Sequence, residues 1–245
     1  MAYRLSAPHR ARNPFSSFSV GPAHKFLSLV STARRWLAAL LFYALALGPA
    51  QGQGWELGAG AGFGFYRNGR VFAPAGIAAA GVRNRFTLTA WLAERRSERL
   101  AGELRYTYQD GDPFLEPRLV RTNVQGQSHA LHFALRLPLR APEARFNPYL
   151  TAGLGAKRYE VTGPETLNPP LLEIARLRAV GEWKALVVAG VGADWVLHRF
   201  VSLRAEFLDY VTPFPKQVIE PTPYASARGF LHQMTPSLSL CWRIR

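Results

Sequence analysis

After its first 54 residues the chain alternates between apolar side chains and glycine or charged side chains, in stretches of about ten residues. A period of two residues is that of a β-strand whose two faces differ. In the stretch Leu100–Tyr108, Leu104 and Tyr106 share one face. Glu103 and Arg105 share the other face. The pattern therefore predicts an all-β protein in which one face of each strand contacts hydrocarbon and the other carries opposite charges.

Eight such segments follow one another along the chain. Their predicted bounds are Trp55–Tyr66, Arg85–Ala93, Leu100–Tyr108, Ser128–Leu139, Tyr149–Tyr159, Lys184–Val196, Phe200–Tyr210 and Phe230–Ile244. The connections after the second, fourth and sixth segments are short, and the other four are long and in part rich in proline. We expect irregular surface loops there, with a short helical turn at Leu171–Arg178. Because the strand number is even, antiparallel pairing puts both termini and the tight turns at one rim.

Two kinds of eight-stranded barrel fit this alternation. A soluble barrel of the lipocalin type has an apolar interior, whereas a membrane barrel has an apolar exterior. The face opposite the apolar one is rich in glycine, which would be an unusual solvent surface but leaves room for long side chains in a narrow lumen. These glycines are Gly58, Gly60, Gly62, Gly153, Gly155, Gly190 and Gly192. The sequence therefore predicts an eight-stranded antiparallel up-and-down transmembrane β-barrel with a side-chain-filled lumen.

The charged residues of the inner face predict ion pairs inside the barrel. The predicted pairs are Glu56 with Arg243, Glu103 with Arg136, and Asp194 with Arg204, and Arg105 and Glu206 share the same face. Mixed carboxylates and guanidinium groups inside a small barrel are more often structural packing than groups for acid and base catalysis. We interpret all eight residues as structural and predict no catalytic residue among them.

The segment Met1–Gly52 differs from the rest because it contains six Lys or Arg residues and no acidic residue. Arg34 and Arg35 precede the apolar run Trp36–Leu47, and small residues at Ala50 and Gly52 stand where a signal peptidase reads the chain. These features are typical of a cleaved export signal. We expect a leader over residues 1–52 and one barrel domain over residues 53–245.

Charge and cysteine content exclude several classes of function. The formal net charge is +14, and it falls to +8 for residues 53–245 because six of the 30 basic residues and none of the 16 acidic residues lie in the leader. No basic run is interleaved with aromatic residues in a nucleic-acid-binding motif, so no nucleic-acid partner is predicted. Cys241 is the only cysteine, which excludes an intramolecular disulfide and a zinc site with several cysteine ligands.

Two stretches of the chain, Pro148–Gly155 and Gly102–Tyr106, read PYLTAGLG and GELRY. With them the chain resembles the OmpA-type family of small outer-membrane β-barrels over the part that follows the leader. The resemblance implies a location in the bacterial outer membrane and insertion by the outer-membrane assembly machinery. That family usually ends on an aromatic residue, whereas here three residues follow Trp242.

No motif in the chain predicts an enzyme, a cofactor or a metal. The glycine-rich stretch Gly58–Gly62 does not lead from a strand into a helix and lacks the third glycine of a dinucleotide fingerprint. His129 and His132 lie three residues apart, which places them on opposite faces of a strand. Ser128 precedes His129, but the His-x-Ser arrangement found in outer-membrane lipid A deacylases is absent from the sequence.

The function expected from the sequence is therefore a structural or surface-interaction role at the outer membrane, by a monomer with long loops at the cell surface. Arg118 and Arg121 are the candidates for contact with lipopolysaccharide phosphates, and outer-membrane lipid is the expected partner. Two alternatives stay open at this point: a lipid-modifying enzyme of the deacylase kind, and a soluble lipocalin-like barrel that binds a small ligand.

Overall fold

The structure is a computed structural model that describes residues 54–97, 99–117, 122–141, 144–164 and 173–244. The predicted leader, Met1–Gly52, lies outside the described residues, as do Arg118 and Arg121. Within the described ranges every regular element is a β-strand, and no helix is long and apolar enough to cross a bilayer.

Eight long strands form one closed antiparallel barrel, which confirms the predicted fold class. In chain order they are β1 (Trp55–Arg67), β4 (Arg85–Ser97), β5 (Leu100–Asp110), β8 (Gly126–Pro138), β9 (Phe146–Val161), β11 (Gly181–His198), β12 (Val201–Pro213) and β15 (Phe230–Ile244). Each strand pairs with its neighbour in this order, and β1 closes the barrel against β15. Trp55 is opposite Ile244 in the register of β1 with β15. Both residues lie at the rim that carries the tight connections between strands.

Burial alternates along the barrel strands with the two-residue period of the sequence. On β5, Leu104 is 50% exposed, whereas its neighbour Arg105 is 1% exposed. The same alternation holds on the other barrel strands, where the outward side chains are mostly apolar and nearly all charged side chains of the mid-wall face inward. A few large apolar side chains, such as Trp91 and Leu186, also face inward. An apolar surface of this extent is unfavourable in water and favourable in hydrocarbon. The lipocalin-like alternative is therefore wrong, because its apolar face would point inward.

The inward glycines are sites of close approach. The indole of Trp91 lies over Gly58, and the phenol of Tyr149 lies over Gly192. At Gly155 a Cβ atom would overlap the carbonyl oxygen of Leu131 on the neighbouring strand. Glycine thus makes room for long inward side chains at the first two positions, and at Gly155 it permits close contact between strands.

The four long loops form β-structure, which the sequence did not predict. Seven short strands rise from the rim opposite the termini: β2 (Gly69–Ala73), β3 (Gly76–Val82), β6 (Pro113–Pro117), β7 (Thr122–Asn123), β10 (Ala175–Leu177), β13 (Ile219–Pro221) and β14 (Ser226–Ala227). Five of them pair in the order β14-β2-β3-β6-β7, and β10 pairs with β13. We call these seven strands and the described segments that join them the loop cap. The helical turn expected at Leu171–Arg178 is wrong for its described part, because Ala175–Leu177 is a strand that pairs with β13.

The loop cap has an apolar core that is continuous with the upper lumen. Strands from different loops contribute Val71, Leu115 and Ile219, each fully buried. The inward-facing Tyr66 and Leu231, from the upper ends of β1 and β15, belong to the same cluster. Burying a large aliphatic side chain contributes roughly 1.5–3 kcal/mol. Since the cluster joins all four loops to the barrel wall, the cap closes over the mouth of the lumen.

A substitution at Gly155 tests the tight contact between β8 and β9. We expect Gly155→Ala to lower the free energy of unfolding by about 1–3 kcal/mol, because the added methyl group forces the strand backbones apart. Gly54→Ala is the matched control, since a Cβ atom at Gly54 meets no atom within 4 Å. Urea unfolding in phospholipid vesicles measures both changes, and equal stability of the two variants would contradict the packing described.

Candidate functional site

The lower half of the lumen holds a cluster of buried charged residues. The strand alternation turns seven of them inward, and all seven are at most 8% exposed: Glu56, Glu103, Arg105, Arg136, Asp194, Arg204 and Glu206. They come from β1, β5, β8, β11 and β12, so the closed barrel brings together charges that lie far apart in the sequence. We call this set the lumen ion cluster.

Arg204 lies at the centre of the lumen ion cluster and contacts three carboxylates. Its Nε lies 2.7 Å from Asp194 Oδ1, and its Nη1 lies 2.8 Å from Glu103 Oε2. Its Nη2 lies 3.3 Å from Glu56 Oε2. The guanidinium carbon also lies 3.8 Å from the ring centroid of Trp91, which is a cation–π distance. Arg204 thus links three barrel strands and one aromatic ring.

Arg105 forms the second set of contacts. It meets Glu206 with two nitrogens, Nη1 and Nη2, each 2.7 Å from a carboxylate oxygen. Its Nε donates to Glu103 Oε1 at 2.7 Å. The hydroxyl of Tyr149 on β9 donates to Glu206 at 2.7 Å, across Gly192 of β11, which is opposite both residues in the register. Of the two contacts with Glu206, that of Nη2 is a hydrogen bond, and hydrogen bonds between charged partners are shorter and stronger than neutral ones.

Arg136 completes the cluster. Its Nη2 donates to Glu56 Oε2 at 2.8 Å, and its Nη1 lies 3.5 Å from Asp194 Oδ2. At the rim, Glu56 receives a third guanidinium, that of Arg95, at 3.1 Å. Each buried carboxylate of the cluster therefore faces at least one guanidinium, which offsets the cost of removing both charges from water.

The structure places the three pairs expected from the sequence at ion-pair distance. Arg243 Nε lies 3.6 Å from Glu56, Arg136 Nε lies 3.9 Å from Glu103, and Arg204 Nε lies 2.7 Å from Asp194. The sequence reasoning missed the contacts that cross the lumen from β12 to β5, which are those of Arg204 with Glu103 and of Arg105 with Glu206. It also missed Arg95, because the predicted strand ended at Ala93, whereas β4 continues to Ser97.

The chemistry of this cluster is that of packing. Its carboxylates are held by guanidinium groups, and arginine stays protonated. Ser128 is buried inside the barrel wall, whereas the ring of His129 lies outside and meets the hydroxyl of Tyr106 at 2.7 Å. His132 is buried and packs edge-on against Tyr210. Within the described residues, no group of three His, Cys, Asp or Glu side chains is arranged to hold a metal ion.

The upper lumen is filled by uncharged polar groups around one lysine. Lys157 donates hydrogen bonds to the hydroxyl of Tyr66 at 2.8 Å and to the side-chain carbonyl of Gln233. Its Nζ lies 5.0 Å and 4.9 Å from the ring centroids of Tyr66 and Tyr159. Gln109 accepts a hydrogen bond of 2.6 Å from Tyr66. Side chains thus occupy the lumen from the ion cluster to the apolar core of the loop cap.

A polar cleft opens beside the upper ends of β4, β5 and β8, with a volume of about 400 Å³. Arg85 Nη2 lies 2.8 Å from Asp112 Oδ2 and Arg83 Nη1 lies 3.7 Å from the same oxygen. With Asp110 also in its lining, the cleft carries two charges of each sign.

Removing Arg204 tests the lumen ion cluster. We expect Arg204→Leu to destabilise the barrel by about 3–5 kcal/mol, because three carboxylates would lose a buried partner. Arg243→Leu is the control, since this arginine is partly exposed at the rim and a pair of that kind contributes below about 1 kcal/mol. Urea unfolding in vesicles measures the difference between the two variants. Equal losses would show that the cluster does not depend on Arg204.

Comparison with solved structures identifies similar folds. The outer membrane protein OprG from Pseudomonas aeruginosa aligns with a TM-score of 0.54 at 11% sequence identity, over 80% of this chain and 98% of OprG. Neisserial surface protein A aligns with a TM-score of 0.46 at 13% identity, over 80% of this chain and 100% of that protein. The outer membrane protease OmpT from Escherichia coli aligns with a TM-score of 0.39 at 8% identity, over 77% of this chain and 97% of the protease.

No family model and no curated protein matches the chain. The likeness to OprG, at this identity, concerns the fold. It agrees with the apolar exterior and the closed eight-stranded barrel described above. The chain therefore has the fold of the small outer-membrane β-barrels.

Proposed function

We propose that this chain is an integral outer-membrane protein of a Gram-negative-type bacterium, in which the barrel is an anchor and the loop cap is a surface-interaction module. The observation that carries the proposal is the folded apolar core of the cap. Val71, Leu115 and Ile219 come from three different loops and are all fully buried. Loops that only join strands do not need a shared core, whereas a surface that presents fixed side chains to a partner does.

The barrel wall supports the role of an anchor. Its exterior exposes leucine, valine and aromatic side chains on all eight strands. Trp55, Trp195 and Trp242 lie near the rim that carries the tight connections, as in the aromatic girdle of a membrane barrel. Backbone groups of the wall are paired around the closed sheet, which a bilayer requires.

The side chains inside the barrel support a role that involves no enzymatic turnover. Glu206 is held by both Arg105 and Tyr149, and Asp194 is held by Arg204. A general acid or base needs a proton that it can exchange with a substrate, and these carboxylates face fixed guanidinium groups instead. Ser128 and His129 point to opposite sides of the wall, which disfavours the deacylase alternative.

Three further parts of the proposal rest on the sequence. These are export by a cleaved leader over residues 1–52, insertion by the outer-membrane assembly machinery, and membership of the OmpA-type family. Contact with outer-membrane lipid and lipopolysaccharide completes the proposal, and the monomeric state is proposed with it. The candidates Arg118 and Arg121 lie outside the described residues.

Opening the cap core tests the division between anchor and module. We expect Leu115→Asp and Ile219→Asp to make the cap sensitive to external protease, because a carboxylate in an apolar core is unfavourable. The barrel should persist, seen as a change of gel mobility on boiling. Ile77→Asp is the matched control, since Ile77 lies on the same cap sheet and is exposed.

Two results would contradict the proposal. If the wild-type chain is recovered in the soluble fraction, the anchor is wrong. If the cap-core variants lose the boiling-dependent mobility together with protease resistance, the cap is not a module separate from the barrel. Resistance of all three variants to external protease would show that the cap core does not hold the loops.

A further inference from the structure

One outer face of the loop cap continues the lipid-facing wall of β1 and β15. Along β1, Phe63, Phe65 and Arg67 are exposed on the outside of the barrel. On β2, the next strand in the chain, Arg70 and Phe72 are exposed in the same way. The cap face therefore looks sideways, into the layer that surrounds the barrel just above the hydrocarbon.

The inner side of the same strands confirms this orientation. Val71 of β2 and Ala227 of β14 are buried in the cap core. That core also contains Tyr66 and Leu231, which face the lumen from β1 and β15. Because the inner side of the sheet is continuous with the lumen, its outer side is continuous with the exterior of the barrel.

The strand register brings arginines together on this face. Ala227 is opposite Val71 in the pairing of β14 with β2. By continuation of that register Arg228, which is exposed, lies beside Arg70. Arg67 is opposite His232 on the wall below. We call Arg67, Arg70 and Arg228 the arginine face.

The arginine face differs from the cations at the upper ends of β4 and β9, which are paired with carboxylates. In the described part of the chain no carboxylate lies within 4.0 Å of Arg67, Arg70 or Arg228. By contrast, Arg158 lies 3.0 Å from Glu160, and Arg85 lies 2.8 Å from Asp112. The three guanidinium groups of the arginine face are therefore free to bind an anion from outside the chain.

Apolar side chains flank these arginines on the side away from the membrane. Phe72 is directly opposite Ile77 in the sheet, and both are about half exposed. Tyr224, two residues before β14, is 86% exposed. An exposed aromatic ring packs against the hydrocarbon face of a sugar ring as it does against other apolar surface, and guanidinium groups bind phosphate with two hydrogen bonds.

We propose that the arginine face, with Phe72 and Tyr224, binds the phosphorylated saccharide headgroup of a glycolipid in the surrounding outer leaflet. Three observations favour this occupant: the face looks sideways, it starts where the lipid-facing wall ends, and it carries unpaired positive charge below exposed rings. The inference deepens the proposed function and rests on it, because the headgroups reach this face only if the barrel is inserted in the outer membrane.

Charge reversal of the arginine face tests the inference. The probe is bisphosphorylated lipid A in detergent micelles, and lipid retained by the purified full chain is counted by native mass spectrometry. We expect Arg67→Glu, Arg70→Glu and Arg228→Glu together to weaken retention at least about tenfold, because three cations near a phosphate become anions. The matched control reverses Arg176, Arg178 and Lys216, three cations elsewhere on the cap, and should retain lipid A as the wild type does.

A second pair of measurements separates phosphate binding from nonspecific adsorption. Lipid A without phosphates should be retained at least about tenfold less by the wild-type chain, and replacing the three arginines with lysine should restore part of the binding lost on charge reversal. Phe72→Ala with Tyr224→Ala should weaken binding less than charge reversal does. Equal retention of lipid A with and without phosphates, or by wild type and the reversed variant, would overturn the inference.

These outcomes are distinguishable from failure of the proposed function. The boiling-dependent gel mobility of every variant is recorded alongside binding. If the barrel folds and inserts but charge reversal has no effect, only the arginine face is wrong. If the wild-type chain does not insert in a membrane, the proposed function fails first.

Discussion

A polypeptide that crosses a bilayer with strands has no water to satisfy a free strand edge, so the sheet must close on itself. Here closure is made by the pairing of β1 with β15, with Glu56 opposite Arg243 and Trp55 opposite Ile244. An eight-stranded barrel is just wide enough for its own side chains. Closure with eight strands makes the lumen narrow. A narrow lumen in turn requires glycines that leave room for long inward side chains, and it brings the inward charges within contact distance of one another.

The lumen ion cluster is the consequence of placing charges in that space. Arg204 binds carboxylates from β1, β5 and β11, so it ties together strands that are not all neighbours. Above it, Lys157 and its uncharged partners lead into the apolar core of the cap. The column of side chains is continuous from rim to cap. The outer surface of the cap carries the arginines and exposed rings of the proposed glycolipid site.

The parts of this structure that sequence reasoning could predict are those fixed by local alternation. The two-residue period alone predicts that Leu104 faces outward and Arg105 inward. The contact of Asp194 with Arg204 could be predicted because the two residues lie on adjacent strands, where they are opposite each other in the register. Contacts across the lumen, such as that of Arg204 with Glu103, depend on how far neighbouring strands are shifted along one another around the closed barrel. The sequence of a single strand does not determine that shift.

The folded cap could not be predicted for a related reason. Its strands are short, from two residues in β7 and β14 to seven in β3. Each loop alone has too few apolar residues to form a core. These residues therefore stabilise the cap only when all four loops pack together. Proline in these segments favoured an irregular interpretation. The exposed Phe72 and Tyr224 belong to the same loops. The sequence alone therefore did not predict the surface that we propose binds a glycolipid headgroup.

The central claim is that the apolar face of each strand contacts lipid and the charged face fills the lumen. Tryptophan fluorescence tests this with residues that the chain already has. Trp195 and Trp242 are about half exposed on the outer wall, whereas Trp91 is buried in the lumen beside Arg204. In variants that keep a single tryptophan, vesicles of brominated lipid should quench Trp195 and Trp242 strongly and Trp91 weakly. Strong quenching of Trp91 with little quenching of the other two would contradict the account.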